Sequence, residues 1–123
     1  MIKIPYGTSN FKKFATYGFY YVDRTPFIER IEQLNQHHLF FVRPRRFGKS
    51  LFISTLEYYY DIYHQKDFNN LFDKYYIGKN PTPRANQYLT ITFDFSAIDT
   101  SSYENTYEAF LKSVKSSARR FFF

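Results

Sequence analysis

An apolar run, a basic loop and an amphipathic stretch follow one another near the middle of the sequence. The run is Leu39–Val42, and the loop is RPRRFGKS at residues 43–50. A short continuous apolar run is typical of a strand covered on both faces. Helical spacing beyond the loop predicts a helix from near Lys49 to about His64, marked by Phe52, Leu56, Tyr59, Tyr60 and Tyr63. Strand, glycine-bearing loop and helix is the order that a phosphate-binding loop requires.

The last three loop residues match the Walker A pattern G-x-x-x-x-G-K-[ST]. Gly48 lets the backbone approach a phosphate closely, Lys49 places an ammonium on the β- and γ-phosphates, and Ser50 can ligate Mg²⁺ through its hydroxyl. Arg43 stands where the pattern has its first glycine. The alternative is a basic surface turn at the start of a helix. The predicted binding site, with Ser50 as the metal ligand, comprises Arg45, Arg46, Phe47, Gly48, Lys49, Ser50 and Leu51.

Helical patterns occur on both sides of this segment. Thr25 followed by Pro26 is an N-cap with a first-turn proline, and the apolar spacing after it predicts a helix to about Gln36. A further short helix is predicted from Phe68 and is expected to close at Gly78. A last helix is predicted from the spacing of Tyr107, Phe110, Leu111 and Val114.

Two other segments have the pattern of strands. The patch Phe19–Val22 is a candidate short strand, and alternation with polar neighbours predicts a strand through Leu89, Ile91, Phe93 and Phe95. With the Leu39–Val42 run, they predict an α/β class: a partial P-loop NTPase fold with a parallel sheet flanked by helices, incomplete at the C-terminus. A chain of 123 residues has room for one domain. We divide it into a lead-in over residues 1–24, a helix, Walker A unit and second core strand over 25–96, and a helical end over 97–123.

Composition and charge narrow the function further. The formal net charge is +6, and four cations fall within residues 43–49, which favours an anionic partner. The absence of cysteine excludes disulfides and thiolate metal sites, and the three histidines show no metal spacing. No segment has the pattern of a signal peptide or a bilayer span, so we expect no membrane association and a cytoplasmic location. The 24% aromatic content fits either A/T-rich codons or nucleic-acid stacking.

Several segments resemble, in order, the AAA-ATPase-like family of bacteria and archaea. They are IPYGTSNFKKF, YYVDRTPFIERIE, FFVRPRRFGKSLFISTLEYYYD, NLFDKYYI and YLTITFDFS, and they cover nearly the whole chain. The family's own loop carries arginine at the position of Arg43. The resemblance implies ATP and Mg²⁺ as ligands, with Lys49 as the phosphate lysine, Ser50 as the Mg²⁺ ligand, and Gly48 with the neighbouring amides as the phosphate cradle.

The same resemblance implies parts that this sequence lacks. Family members resemble multi-strand P-loop NTPases with a Walker B aspartate further along, and many continue into a PD-(D/E)xK nuclease-like domain. We therefore expect a truncated N-terminal portion, whose missing strands or nuclease-like domain could lie in an adjoining chain. For Asp23, Arg45 and Arg46 the resemblance implies a place in the motif and no settled role.

No catalytic residue is assigned from the sequence. Asp94 follows Phe93 near the end of a predicted strand and could mimic a Walker B acid, or it could be an ordinary strand-end aspartate. Glu57, Asp61 and Glu104 have no catalytic motif around them. We therefore predict nucleotide binding and assign no hydrolysis to this chain alone.

Two alternatives to an ATP-binding fragment stay open. One is an inactive gene remnant. The other is a non-enzymatic basic module that binds nucleic acid, although no nucleic-acid-binding motif supports it. Its candidate cations are Arg43, Arg45, Arg46, Lys112, Lys115 and Arg119.

Overall fold

The computed structural model of the protein describes residues 10–42, 48–93, 95 and 100–122. They belong to two compact units, Met1–Tyr88 and Leu89–Phe123. The described helices of the first unit are α1 (Phe11–Tyr17), α2 (Pro26–Leu34), α3 (Lys49–Tyr60), a 3-10 helix (Ile62–Asp67), α4 (Phe68–Phe72) and α5 (Tyr76–Lys79). The second unit contains α6 (Tyr103–Phe122).

The core of the first unit is mainly aromatic. Phe11 and Phe72 are fully buried, and their rings stack with centroids 4.8 Å apart. Tyr21 meets the Phe11 ring edge-on at 5.7 Å. Such aromatic pairs contribute about 0.5–1.5 kcal/mol beyond the area that they bury. The remaining buried members of this core cluster are Ala15, Ile28, Phe52, Tyr59, Leu71, Tyr75 and Ile77.

Helix α1 supplies the centre of this core, although the sequence indicated only an irregular lead-in there. The Asn10 side chain accepts a hydrogen bond from the Lys13 N–H at 3.2 Å, which caps the helix start. Gly18 follows the helix in the left-handed conformation, with φ 66°, and ends it. Because Phe11 and Phe14 are one helical turn apart, the same face of α1 buries both rings.

Hydrogen bonds from Asp23 and Thr25 join the start of α2 to α5. One Asp23 carboxylate oxygen accepts from the Thr25 hydroxyl at 2.6 Å and from the Thr25 N–H at 3.0 Å. The other accepts from the Tyr76 N–H at 2.9 Å. The Thr25 hydroxyl in turn accepts from the Ile77 N–H at 3.2 Å. Thr25 therefore lies at the predicted N-cap position, but its side chain does not cap α2.

The C-terminal end of α3 is closed by a buried asparagine. The last carbonyls of a helix have no partner within the helix. The Asn86 side-chain amide donates to the Tyr58 carbonyl at 3.2 Å and to the Asp61 carbonyl at 2.7 Å. Its backbone N–H donates to the Tyr59 carbonyl at 2.8 Å. Asn86 holds a left-handed backbone with φ 54°, which asparagine tolerates better than most residues.

Two helix boundaries differ from those predicted. Helix α2 ends at Leu34, earlier than Gln36, because Asn35 turns the chain with φ 50°. Helix α3 ends at Tyr60, earlier than His64, because Asp61 is extended with ψ 129° and a 3-10 helix follows. In both cases the apolar spacing continues past the residue whose backbone conformation ends the α-helix.

Gly78 lies inside α5, and does not close a helix as the sequence indicated. A Cβ at this position would lie 1.7 Å from the Phe72 carbonyl oxygen. The glycine is therefore required by close contact between α4 and α5. The predicted single helix from Phe68 is divided into these two short helices, with Tyr75 extended between them at ψ 164°.

The predicted α/β fold with a parallel sheet flanked by helices is wrong for the described residues, which are helical and contain no strand. Tyr88, at the start of the predicted second core strand, instead pairs with the end of α3. Its N–H donates to the Tyr60 carbonyl at 3.0 Å, and its carbonyl accepts from the Ile62 N–H at 2.8 Å. An isolated parallel bridge between Asp61 and Tyr88 results.

The error has a physical cause. Apolar runs and alternation describe where side chains would point if a strand formed, whereas a strand exists only where a neighbouring strand pairs with its backbone. In the predicted first core strand, Phe40 is 93% exposed and Val42 is 70% exposed, so this run is not covered on two faces. The patch Phe19–Val22 likewise forms no strand.

The second unit is built on α6, as the spacing of its apolar residues predicted. The Ser102 hydroxyl accepts from the Asn105 N–H at 3.1 Å, which caps the start of the helix. The Phe110 ring stacks on Phe95 with centroids 5.4 Å apart, and Phe93 stacks on Phe95 at 6.1 Å. The phenylalanines predicted to alternate in a strand therefore form a ring stack in which Phe95 contacts Phe110 of the helix.

We expect Thr25→Val to lower the free energy of unfolding by about 1–3 kcal/mol, because it leaves the buried Ile77 N–H without its acceptor. Urea unfolding followed by far-ultraviolet circular dichroism measures the change. Thr16→Val, at an exposed position of α1, is the matched control. Equal effects of the two substitutions would contradict the role given to the Thr25 hydroxyl.

We expect Asn86→Ala to lower the free energy of unfolding by about 2–4 kcal/mol, because it removes two hydrogen bonds to α3 carbonyls and places alanine at a positive φ. Asn35→Ala, at an exposed position with φ 50°, shares the backbone cost without the buried amide bonds. The same urea titration compares them. A loss at Asn86 no greater than that at Asn35 would show that the amide bonds contribute nothing.

Candidate functional site

The predicted phosphate loop is described from Gly48 onward. Of the predicted binding residues, Arg45, Arg46 and Phe47 lie outside the described residues, as does Arg43. Gly48, Lys49, Ser50 and Leu51 are described and form the junction between the loop and α3. The geometry of the candidate site is therefore that of the first turn of α3 and its surroundings.

Gly48 begins this junction with a backbone that other residues rarely adopt. Its φ is 82° and its ψ is 19°, in the left-handed region that favours glycine. Its carbonyl accepts the Phe52 N–H at 2.9 Å, the first bond of the helix. A Cβ at Gly48 would meet no described atom within 4 Å, so backbone conformation and not crowding explains the glycine.

Lys49 and Ser50 occupy the exposed first turn of α3. The N–H groups at a helix start lack intrahelical partners, and the helix dipole makes that end electropositive. The first turn of α3, all of whose residues are described, contains no acidic side chain. The Lys49 ammonium and the helix start therefore add their positive potentials on one exposed surface.

The next residues hold α3 in place. Leu51 packs against the core, and Phe52 is 5% exposed. The Phe52 ring stacks on Phe41 with centroids 5.4 Å apart. The buried Thr55 hydroxyl donates to the Leu51 carbonyl at 2.8 Å. The buried contacts of the second turn of α3 thus hold its exposed first turn in place.

A cavity of about 250 Å³ lies beside Gly48. Its lining comes from Phe14 of α1, from the segment before α2 and from the junction with α3. The main lining residues are Tyr20, Tyr21, Arg24, Gly48, Leu51 and Phe52. Burial raises the pKa of Tyr21, so this phenol stays neutral at ordinary pH. The sequence indicated a strand over Phe19–Val22, and nothing in its spacing predicts that these residues line a cavity.

The carboxylates considered from the sequence do not form a catalytic group among the described residues. Asp94 lies outside them. Asp23 accepts hydrogen bonds through both oxygens, and Asp61 is buried and accepts from the Tyr63 N–H at 2.8 Å. Glu57 lies within α3, and Glu104 lies in the first turn of α6 in the other unit. We therefore assign Asp23 and Asp61 structural roles.

The described part of the chain contains neither a cluster of metal-ligating side chains nor a membrane-spanning helix. No group of three or more histidine, cysteine, aspartate or glutamate side chains that could hold a metal ion occurs among the described residues. None of the helices described there combines the length and the apolar character that a bilayer crossing needs. Among the cations considered for nucleic acid, Lys112, Lys115 and Arg119 are exposed on α6.

Comparison with known proteins gives a relative and a family. The chain is 50% identical over 56 residues to a protein of Azotobacter chroococcum mcd 1 described as "Uncharacterized protein in vnfD 5'region", and the match covers 44% of this chain and 10% of that relative. No solved structure matches the chain. A family model described as "Predicted AAA-ATPase" matches residues 5–123. Because the match extends over nearly the whole chain, the protein belongs to the AAA-ATPase-like family.

Proposed function

We propose that the protein binds ATP together with Mg²⁺ at the junction between the RPRRFGKS loop and α3. The observation that carries the proposal is the left-handed Gly48 directly before an exposed helix start that presents Lys49 and Ser50. Membership of a predicted ATPase family supports the choice of nucleotide. The proposal depends on this junction and on the family, and it requires no sheet.

The phosphates would bind to backbone and side-chain donors together. Amide groups at the start of α3 point away from the helix body, and the dipole favours an anion there. Lys49 would add an ammonium directed at the β- and γ-phosphates. Arg45, Arg46 and Phe47 remain part of the proposed loop on the ground of sequence, with the arginines as further phosphate ligands.

Ser50 fits a role as the protein ligand of Mg²⁺. Its hydroxyl is a hard oxygen donor on the exposed first turn, and Mg²⁺ commonly takes most of its ligands from phosphates and water. The lack of an acidic metal cluster among the described residues agrees with such a site, since the nucleotide would supply the negative charge. When bound, the ion would neutralise part of the negative charge of the phosphates.

The proposal is for nucleotide binding and assigns no hydrolysis. Asp23 and Asp61 already accept hydrogen bonds within the fold, so neither is the base that would activate water. The matched relative is much longer than this chain, which covers 10% of its length. Missing strands or a nuclease-like domain in an adjoining chain, and a cytoplasmic location, remain expectations for the whole protein.

We expect Lys49→Ala to weaken Mg²⁺-ATP binding by about 10- to 100-fold, because it removes a charge-assisted hydrogen bond to phosphate. Isothermal titration calorimetry on the full chain measures the affinity. Lys66→Ala, at an exposed lysine of the 3-10 helix, changes the net charge equally and should leave the affinity unchanged. Lys49 is exposed, so the variant should keep the wild-type circular dichroism spectrum.

The same titrations separate the proposal from nucleic-acid binding. A nucleotide site should require Mg²⁺ and lose affinity at one lysine. A basic nucleic-acid surface should weaken steeply with salt and lose a little affinity at each of many cations. No ATP binding by the folded wild-type chain, or equal losses for Lys49→Ala and Lys66→Ala, would contradict the proposed function.

A further inference from the structure

We propose that the cavity beside Gly48 holds the purine base of the bound nucleotide, with Tyr20 as its stacking surface. The inference rests on the proposed function, because it places the base next to the proposed phosphate site. It assigns a binding role to Tyr20 and to its neighbours in the lining, Tyr21, Val22 and Arg24, which lie outside the phosphate loop. None of these residues was predicted from the sequence to contact nucleotide.

The first argument is position. Gly48 lines the cavity and also begins the helix turn proposed to bind phosphate. A nucleotide joins its base to its phosphates through a single sugar, so the two sites must be neighbours. This cavity meets that requirement with a shared residue. A second, apolar cavity is lined by Phe27, Leu34 and Phe41. Phe52 is the α3 residue in its lining, and none of the residues from Gly48 to Leu51 belongs to it.

The second argument is size and surface. A volume of about 250 Å³ falls just below the roughly 300–1,000 Å³ of sites for drug-sized ligands, and suits a flat ring system. The aromatic and aliphatic lining includes Phe52, which is 5% exposed, and Leu51, which packs on the core. Tyr20 lines the same space but is 57% exposed, so its ring is accessible to a ligand. Bases stack on such rings irrespective of sequence because every base has a π-face.

The third argument is the scarcity of polar groups that could read the edge of a base. The polar side-chain groups of the lining are the Arg24 guanidinium and the hydroxyls of Tyr20 and Tyr21. Selection should therefore follow stacking area, which is larger for a purine than for a pyrimidine. We expect ATP to bind more tightly than CTP.

The test compares three ligands on the full chain in the presence of Mg²⁺: ATP, CTP and inorganic tripolyphosphate. Tyr20→Ala should weaken ATP binding by on the order of 10-fold through loss of stacking. It should leave tripolyphosphate binding unchanged and reduce the preference for ATP over CTP. Tyr20→Phe keeps the ring and should keep ATP affinity. Tyr63→Ala is the matched control, since Tyr63 is 69% exposed and does not line the cavity.

The outcomes distinguish this inference from the proposed function. If wild-type protein binds neither ATP nor tripolyphosphate, the phosphate site fails and the base site fails with it. If both bind and both depend on Lys49, but Tyr20→Ala affects ATP no more than Tyr63→Ala does, only the base site is overturned. Equal losses of ATP and tripolyphosphate in Tyr20→Ala would also overturn it, because a stacking surface acts on the base alone.

Discussion

The hydrogen bonds of Asp23 and Thr25 fix the segment before α2 to α5, and the candidate site depends on where that segment lies. In α5, the Tyr76 N–H donates to the Asp23 carboxylate, and the Ile77 N–H donates to the Thr25 hydroxyl. Thr25 and Ile77 are both fully buried, so the hydrogen bond between them is shielded from water. Loss of a buried acceptor costs more than a typical hydrogen bond contributes, because the donor keeps its desolvation cost. This network therefore fixes the segment before α2 relative to α5.

Helix α3 is held at its far end and left open at its start. Asn86 closes its last carbonyls, and Tyr59 and Phe52 bury its inner face. Its first turn has neither an acidic side chain nor a polar cap from its own sequence, because Gly48 has no side chain. A helix start without a cap is less stable, but it keeps its N–H groups available to an anion. The first turn of α3 is therefore less stable than a capped one, but its N–H groups can bind an anion.

Sequence patterns located the long helices because one face of each must be buried. The starts of α2 and α3 follow from Pro26 and from Gly48, and α6 follows from its apolar spacing. The ends were less predictable, since Asn35 and Asp61 stop the helices through backbone conformation while the apolar pattern continues. Helix α1 was predictable in principle, because Asn10 and Gly18 are standard signals for its two ends.

The predicted sheet failed for a different reason. Phenylalanine and tyrosine are common in strands, but in this chain they also form ring clusters between helices, such as Phe11 on Phe72 and Phe95 on Phe110. Aromatic content therefore says little about backbone pairing here. For the site, sequence motifs predicted Gly48, Lys49 and Ser50 because their chemistry is tied to a local spacing. They could not predict Tyr20, since its place beside Gly48 depends on contacts that are distant in sequence.

If both proposals hold, a nucleotide contacts two segments of the chain, one before α2 and one after it. Its base would rest on Tyr20 and its phosphates on the first turn of α3. Within the fold these two segments line the same cavity. A ligand that binds only the folded arrangement stabilises it in proportion to the logarithm of its concentration over its dissociation constant. Nucleotide binding would therefore stabilise the contact between α3 and the segment before α2, while the Asp23 and Thr25 network holds the same segment to α5.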